Sequence, residues 1–125
     1  MDSGFTAMVV DDDQDILELL TDILSEVSDL HIEVFSNVDA ACQRIASQGL
    51  PDVVISDFMM PGKNGDALLE YVRHKDEGLP FAFLTGAPDR ARGQLDAMPV
   101  EADEIWSKPF RSARVISWVE NRLAD

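Results

Sequence analysis

The sequence predicts an α/β domain: an open parallel sheet of five strands with helices on both faces. Three observations carry this reading. Five short apolar runs recur along the chain, the runs are continuous rather than alternating, and the stretches between them carry apolar residues at helical spacing. Continuous runs such as Met8-Val9-Val10 and Val53-Val54-Ile55 fit strands covered on both sides, the condition of a parallel sheet. Parallel neighbours need right-handed crossovers, which the intervening helices supply.

The first strand covers residues 5–10 and leads into a helix whose stripe is Ile16, Leu20, Ile23 and Val27, with Leu17 and Leu24, behind a face rich in Asp and Glu. The second strand is 31–35. Ser36 followed by Asp39 resembles a capping box, Val38, Ala41, Cys42 and Ile45 form the second helix's stripe, and Gly49 to Pro51 stops it. The third strand has its apolar run at 53–55. A third helix spans 66–77, with Leu68, Leu69 and Val72 on one side, and ends at Gly78. The fourth strand, 81–84, precedes a weakly patterned helix over 89–97. The fifth run is Ile105-Trp106, and a last helix over 112–123 is defined by Val115, Ile116, Val119 and Leu123. No linker, repeat or low-complexity segment interrupts this alternation, so one domain over residues 1–125 is expected.

At 125 residues the chain is long enough for a single core and has no room for a second catalytic or output domain. Twenty-four Asp and Glu against ten Lys and Arg give a net charge of -14, which argues against general affinity for nucleic acid or anionic membrane. Residues 1–43 hold eleven acids and no Lys or Arg, whereas six of the ten bases fall between Arg90 and Arg122. Any cationic face must come from that last third. One cysteine, Cys42, excludes an internal disulfide and a Cys-based zinc cluster and agrees with a reducing compartment. No apolar run is long enough to span a bilayer, and the start Met1-Asp2-Ser3-Gly4-Phe5 lacks the pattern of a signal peptide. The expectation is a cytoplasmic protein that neither inserts into a membrane nor binds nucleic acid through this domain.

In open parallel sheets, ligands bind outside the carboxyl ends of the strands. Here those ends carry Asp11-Asp12-Asp13, Asp57, Thr85-Gly86 and Lys108-Pro109. Each has an ordinary explanation on its own: an Asp run caps a helix, a lone Asp caps a turn, and Lys-Pro is a common dipeptide. Together they are complementary. Converging carboxylates repel by about 4 kcal/mol per pair at ~4 Å and an effective dielectric near 20, so they call for a cation. Oxygen-only ligands favour a hard, hydrated divalent ion, Mg2+ first among them, and Lys108 adds a fixed positive charge. Carboxylate, hard metal, lysine and hydroxyl suit phosphoryl transfer onto a carboxylate. Asp57 is the expected nucleophile, because it stands alone at the end of the central strand, before the turn Phe58-Met59-Met60-Pro61-Gly62. Asp11 and Asp12 are left to hold metal.

Other patterns are weaker. Asp11, Asp13 and Asp15 mimic the start of a calcium loop, but Ile16 stands where its glycine belongs. Gly62-Lys63-Asn64-Gly65 reads as a turn, since neither a Walker pattern nor G-x-G-x-x-G occurs. Cys42 and Trp118 read as packing residues, and His31 and His74 have no partnered spacing. Arg90, Arg92, Arg111, Arg114 and Arg122 fit either a solvated surface or a partner face.

The whole pattern resembles the receiver domain of bacterial two-component response regulators, the CheY-like family. Val9-Val10-Asp11-Asp12-Asp13 is similar to its acidic first strand end, the segment from Ile55 to Gly65 to its phosphoacceptor segment, Leu84-Thr85-Gly86 to its switch hydroxyl, and Ser107-Lys108-Pro109-Phe110 to its lysine motif. The resemblance implies a flavodoxin-like (βα)5 doubly wound sandwich with a five-stranded parallel sheet in the order 2-1-3-4-5. It implies that Asp57 takes a phosphoryl group from a phosphohistidine on a sensor histidine kinase or histidine phosphotransfer protein. Asp12, Asp57 and the Met59 carbonyl would bind Mg2+ directly, Asp11 through water, while Thr85 and Lys108 each take a phosphoryl oxygen. Phosphorylation would then alter the face formed by the fourth helix, fifth strand and fifth helix to control a downstream protein, with Thr85, Ile105 and Trp106 at the switch positions. Such a domain catalyses only its own phosphorylation and slow dephosphorylation.

The chain departs from the family pattern at one switch position: Ile105 stands where the aromatic is usual, and Trp106, next along the strand, should face the opposite side. The Lys-Pro-Phe-x-x-x-Glu-Leu pattern of receivers that dimerise through this face is absent. Two rival readings are an aspartate-nucleophile phosphohydrolase and a phosphorylation-independent interaction module with the receiver fold. The first normally needs an acid two residues after its nucleophile, where Asp57 is followed by Met59.

Overall fold

The structure is a computed structural model that describes residues 4–124; the ends of the domain expected over 1–125 lie outside the described residues. Five strands alternate with five helices: β1 (Phe5–Val10), α1 (Gln14–Leu24), β2 (Leu30–Phe35), α2 (Val38–Gln48), β3 (Val53–Asp57), α3 (Gly65–Lys75), β4 (Phe81–Thr85), α4 (Pro88–Asp96), β5 (Glu104–Ser107) and α5 (Ser112–Leu123). All pairings are parallel and the order is β2-β1-β3-β4-β5. This is the flavodoxin-like architecture, with β2 and β5 as edges. β3 and β4 are buried throughout, as their unbroken apolar runs require, while the edge strand β2 is only partly covered.

Alternate residues of each strand feed two cores. Met8, Val10, Val54, Phe81 and Phe83 meet α2, α3 and α4 on one face, whereas Ala7, Val9, Ile55 and Leu84 meet α1 and α5 on the other. Phe83 packs edge-on against Phe58 at 5.2 Å, which anchors the chain immediately after Asp57. Among the described residues, no helix is long and apolar enough to cross a membrane.

Three local expectations need correction. The cap of α2 is Asn37 rather than Ser36: its side chain accepts from Ala40 N at 2.8 Å. Helix α3 begins one residue earlier than expected and stops at Lys75, because Arg73 donates to Leu79 O at 2.6 Å and Glu101 O at 3.0 Å, drawing the following segment out of helical path. Helix α4 starts at Pro88, which fits the first turn because proline has no N–H to leave unpaired.

Candidate functional site

The parallel register brings the carboxyl ends of β1, β3, β4 and β5 to one edge: Asp57 lies opposite Leu84, and Thr85 opposite Ser107. The acidic run after β1 divides its labour there. Asp13 caps α1 by accepting from Asp15 N at 2.9 Å, and is the capping residue that such a run ordinarily supplies. Asp11 turns inward instead, 1 % exposed, and its Oδ1 accepts from Asp13 N. Asp12 stays exposed. Carboxylate oxygens of Asp11, Asp12 and Asp57 all lie within 4.8 Å of one another.

Lys108 closes the cluster. Its Nζ lies 3.1 Å from Asp11 Oδ2 and 3.3 Å from Asp57 Oδ1, and its backbone N–H donates to Thr85 O at 2.8 Å, tying the end of β5 to β4. The Lys108–Pro109 peptide is cis. Burial, then the neighbouring Asp11 carboxylate, pushes the Asp57 carboxyl up from its ordinary 3.8 to about 6, against the opposing pull of Lys108. Burial likewise raises Asp11. Burial alone would lower Lys108, but the Asp11 and Asp57 carboxylates outweigh it and hold the ammonium above its ordinary range. The site is therefore a partly buried pocket of negative charge only partly answered by one lysine. A divalent cation fits this donor set, since hard oxygen ligands are what Mg2+ takes and three carboxylates share one ammonium.

Thr85 is brought to the same edge but not into the ion-pair network. It is 1 % exposed, and its Oγ1 accepts from Ala87 N at 3.0 Å. Met59 lies in the loop beyond Asp57 and is 41 % exposed. Ile105 and Trp106 face opposite sides of β5, as alternation demands. Ile105 packs against the α3 and α4 side, while Trp106 is buried against Trp118 of α5, edge to face at 5.3 Å.

Asn64 and Gly65, legible in the sequence only as part of a turn and of the segment after Asp57, support the site in ways that the sequence reading missed. Gly65 opens α3 directly beneath the site, where an added Cβ would collide with Asp57 O and lie 2.7 Å from the Phe83 ring. Only glycine allows this approach, and Gly65 N donates to Phe58 O at 2.8 Å. Asn64 stands at the N-cap of α3 but its side chain makes no capping bond; its Oδ1 accepts from Met60 N at 3.1 Å instead, holding the loop after Asp57 closed. The turn expected over 62–65 is present, with Gly62 at φ 83°, but its last residue has this second duty. The signal was a glycine at the start of an amphipathic stretch, eight residues after Asp57.

The family model of the response regulator receiver domain matches residues 7–120. The chain belongs to that family. Among curated relatives, the receiver domain resembles the DNA-binding response regulator MtrA of Mycolicibacterium smegmatis, 32 % identical over 123 residues, covering 93 % of this chain and 49 % of MtrA. It also resembles the DNA-binding transcriptional regulator NtrC of Escherichia coli, 31 % identical over 116 residues, covering 93 % of this chain and 24 % of NtrC. The chain thus spans about half the length of MtrA and less of NtrC. Among solved structures, a putative response regulator from Chloroflexus aurantiacus superposes with a TM-score of 0.84 at 28 % identity, over 98 % of this chain and all of that one. The non-phosphorylated HemR receiver domain of Leptospira biflexa gives 0.78 at 26 % identity, over 96 % of this chain and 94 % of that one.

Proposed function

We propose that this receiver domain, taken as one unit over 1–125, is an active phosphoacceptor of a two-component phosphorelay, with Asp57 as the residue modified. The observation that carries the reading is the placement of Asp57: buried at the end of the central strand, facing Asp11 and Asp12 within 4.8 Å and Lys108 at 3.3 Å. An Asp57 oxygen attacks the phosphorus of a phosphohistidine on a histidine kinase or histidine phosphotransfer protein. The P–O bond forms as the P–N bond breaks, and the bonding pair leaves with the imidazole nitrogen.

Asp11, Asp12, Asp57 and the Met59 carbonyl are the groups that would hold Mg2+, which supplies positive charge for the phosphoryl oxygens. The remaining work falls to the chain itself. Near neutral pH Asp57 stands above its pKa of about 6 and offers an ionised nucleophile. Lys108, already between two carboxylates, is placed to follow the charge onto a phosphoryl oxygen. The Thr85 hydroxyl accepts from Ala87 N and keeps its own hydrogen for another phosphoryl oxygen, so phosphorylation pulls on the loop between β4 and α4. Added charge of about -1.5 to -2 is enough to bias such a loop. The readout is a change at the α4, β5 and α5 face that controls a downstream protein, with Ile105 and Trp106 as the β5 residues that face its two sides. The chemistry is confined to self-phosphorylation and slow loss of the group. The lone Cys42 thiol supports a reducing, cytoplasmic setting.

Mg2+ titration by calorimetry, with tryptophan emission in parallel, tests the site. The natural protein should bind one ion saturably in the millimolar range or below, and Asp12→Asn and Asp57→Asn should each weaken it by about tenfold or more, the scale of a lost charged ligand. No binding across millimolar Mg2+ would support the phosphorylation-independent module instead.

A further inference from the structure

Ten Lys and Arg stand among twenty-four acids, and most of them are engaged. Arg44, Lys63, Arg73, Lys108 and Arg114 each face a carboxylate. Lys75 and Arg122 lie over the rings of Tyr71 and Trp118. Among the described residues the other three, Arg90, Arg92 and Arg111, make no ion pair or side-chain hydrogen bond, and all are exposed. In so acidic a chain, three idle guanidinium groups are unexpected anywhere. All three lie on α4 or at the start of α5.

Arg92, Arg111 and Arg114 rim an open groove of about 320 Å³ between α4, β5 and the start of α5. Its lining includes the half-buried apolar Ile105 and Phe110, above the fully buried Val115, and no Asp or Glu. The volume equals about ten waters' share of the liquid, enough for a bulky apolar side chain. A small anion would satisfy the lip and leave the exposed parts of Ile105 and Phe110 wet. Nucleic acid would cover a wider area and meet the acidic helices that make the chain -14 overall. Repulsion from those distant acids is screened beyond about 8 Å at physiological salt, so the local lip decides contact.

We propose that this groove docks an acidic segment of a partner protein, with at least one bulky apolar side chain of that segment seated against Ile105 and Phe110. The proposal rests on the reading of the α4, β5 and α5 face as the output face and names the partner chemistry that this chain selects there. The groove also has a built-in reporter. Glu104 Oε1 accepts both from Arg114, at 3.3 Å, and from Trp106 Nε1, at 3.1 Å. An anion that draws Arg114 away changes the environment of Trp106.

The test uses four short probes without tryptophan: a Glu-rich peptide containing leucines, the same peptide with Leu replaced by Ser, the same with Glu replaced by Lys, and oligothymidylate. Each is titrated at low and physiological salt, with and without acetyl phosphate and Mg2+, and followed by tryptophan emission and calorimetry. The first peptide should bind saturably in at least one state. Replacing Leu by Ser should weaken it by about tenfold, and so should Arg92→Glu with Arg111→Glu or a rise to physiological salt. Lys63→Glu with Lys75→Glu, which changes net charge equally but away from the groove, should leave binding within about twofold. Absence of saturable binding in both states, equal binding by the Arg92→Glu/Arg111→Glu protein, or oligothymidylate binding as tightly as the peptide would each overturn the proposal. The phosphoryl adduct is measured on the same samples, so a failure of Asp57 chemistry registers separately from a failure of docking.

Discussion

Asp57→Asn should make the metal-free protein more stable, and by an amount that depends on pH. The Asp57 carboxyl is held at about 6 against an ordinary 3.8 because burial and Asp11 oppose its charge. The folded state therefore holds the proton more tightly than the unfolded chain does, and ionisation works against folding. The penalty is absent below pH ~4, grows as pH rises between ~4 and ~6, and is fully present above ~7. Its full size is about 3 kcal/mol, and at pH 5 about half of that. Asparagine matches the shape, keeps an acceptor for Lys108 and carries no charge. Urea denaturation of both proteins in chelator, at pH 4.5 and pH 7.5, reads the difference. A gain of about 2 to 3 kcal/mol at pH 7.5 that shrinks to about 1 kcal/mol at pH 4.5 is expected. Mg2+ should narrow the difference, since at a hundredfold its Kd the ion stabilises the natural protein by about 3 kcal/mol, against about 1.4 kcal/mol for a variant that binds it tenfold more weakly. Equal or lower stability of Asp57→Asn at pH 7.5, or a gain that does not change with pH, would refute the electrostatic argument.

Other perturbations probe the supports of the site. Gly65→Ala forces a methyl against Asp57 O and the Phe83 ring and should cost about 1 to 3 kcal/mol in urea melts; a change below ~0.5 kcal/mol would mean that the contact is easily relieved. Arg73→Met removes the donor to Leu79 O and Glu101 O, and should cost about 2 kcal/mol or more and raise amide exchange in residues 76–80 and 99–103 while leaving Mg2+ affinity unchanged. Unaltered exchange in both loops would show that Arg73 does not brace them. Ile105, half-buried against the α4 side, should keep its rotamer between crystals of the free and phosphoryl-analogue forms, and a full rotamer exchange would contradict a switch without an aromatic swing.

The sheet was legible because parallel strands buried on both faces must read as unbroken apolar runs, and 7–10, 53–55 and 81–84 do. Helix ends were less so. The end of α3 is set by Arg73 reaching across to Leu79 and Glu101, and tertiary contacts of this kind leave no local pattern. The choice between Ser36 and Asn37 as the α2 cap turns on which backbone leaves the strand first, and both residues are good caps. At the site, the types and spacing of Asp11, Asp12, Asp57 and Lys108 were visible because each ends a strand, and chain order alone sends those ends to one edge. What spacing could not supply was the division of the acidic run into Asp13 as cap and Asp11 as buried partner of Lys108. The idle arginines were likewise visible only as a composition bias until ion-pair partners were assigned to the rest.

The most direct measurement of the central claim is the intact mass of the protein after incubation with acetyl phosphate, with and without Mg2+, for the natural sequence and for Asp57→Asn. The account predicts one phosphoryl adduct on the natural protein, dependent on Mg2+, and none on the variant. An adduct that forms equally on Asp57→Asn, or no adduct in the presence of Mg2+, would contradict it.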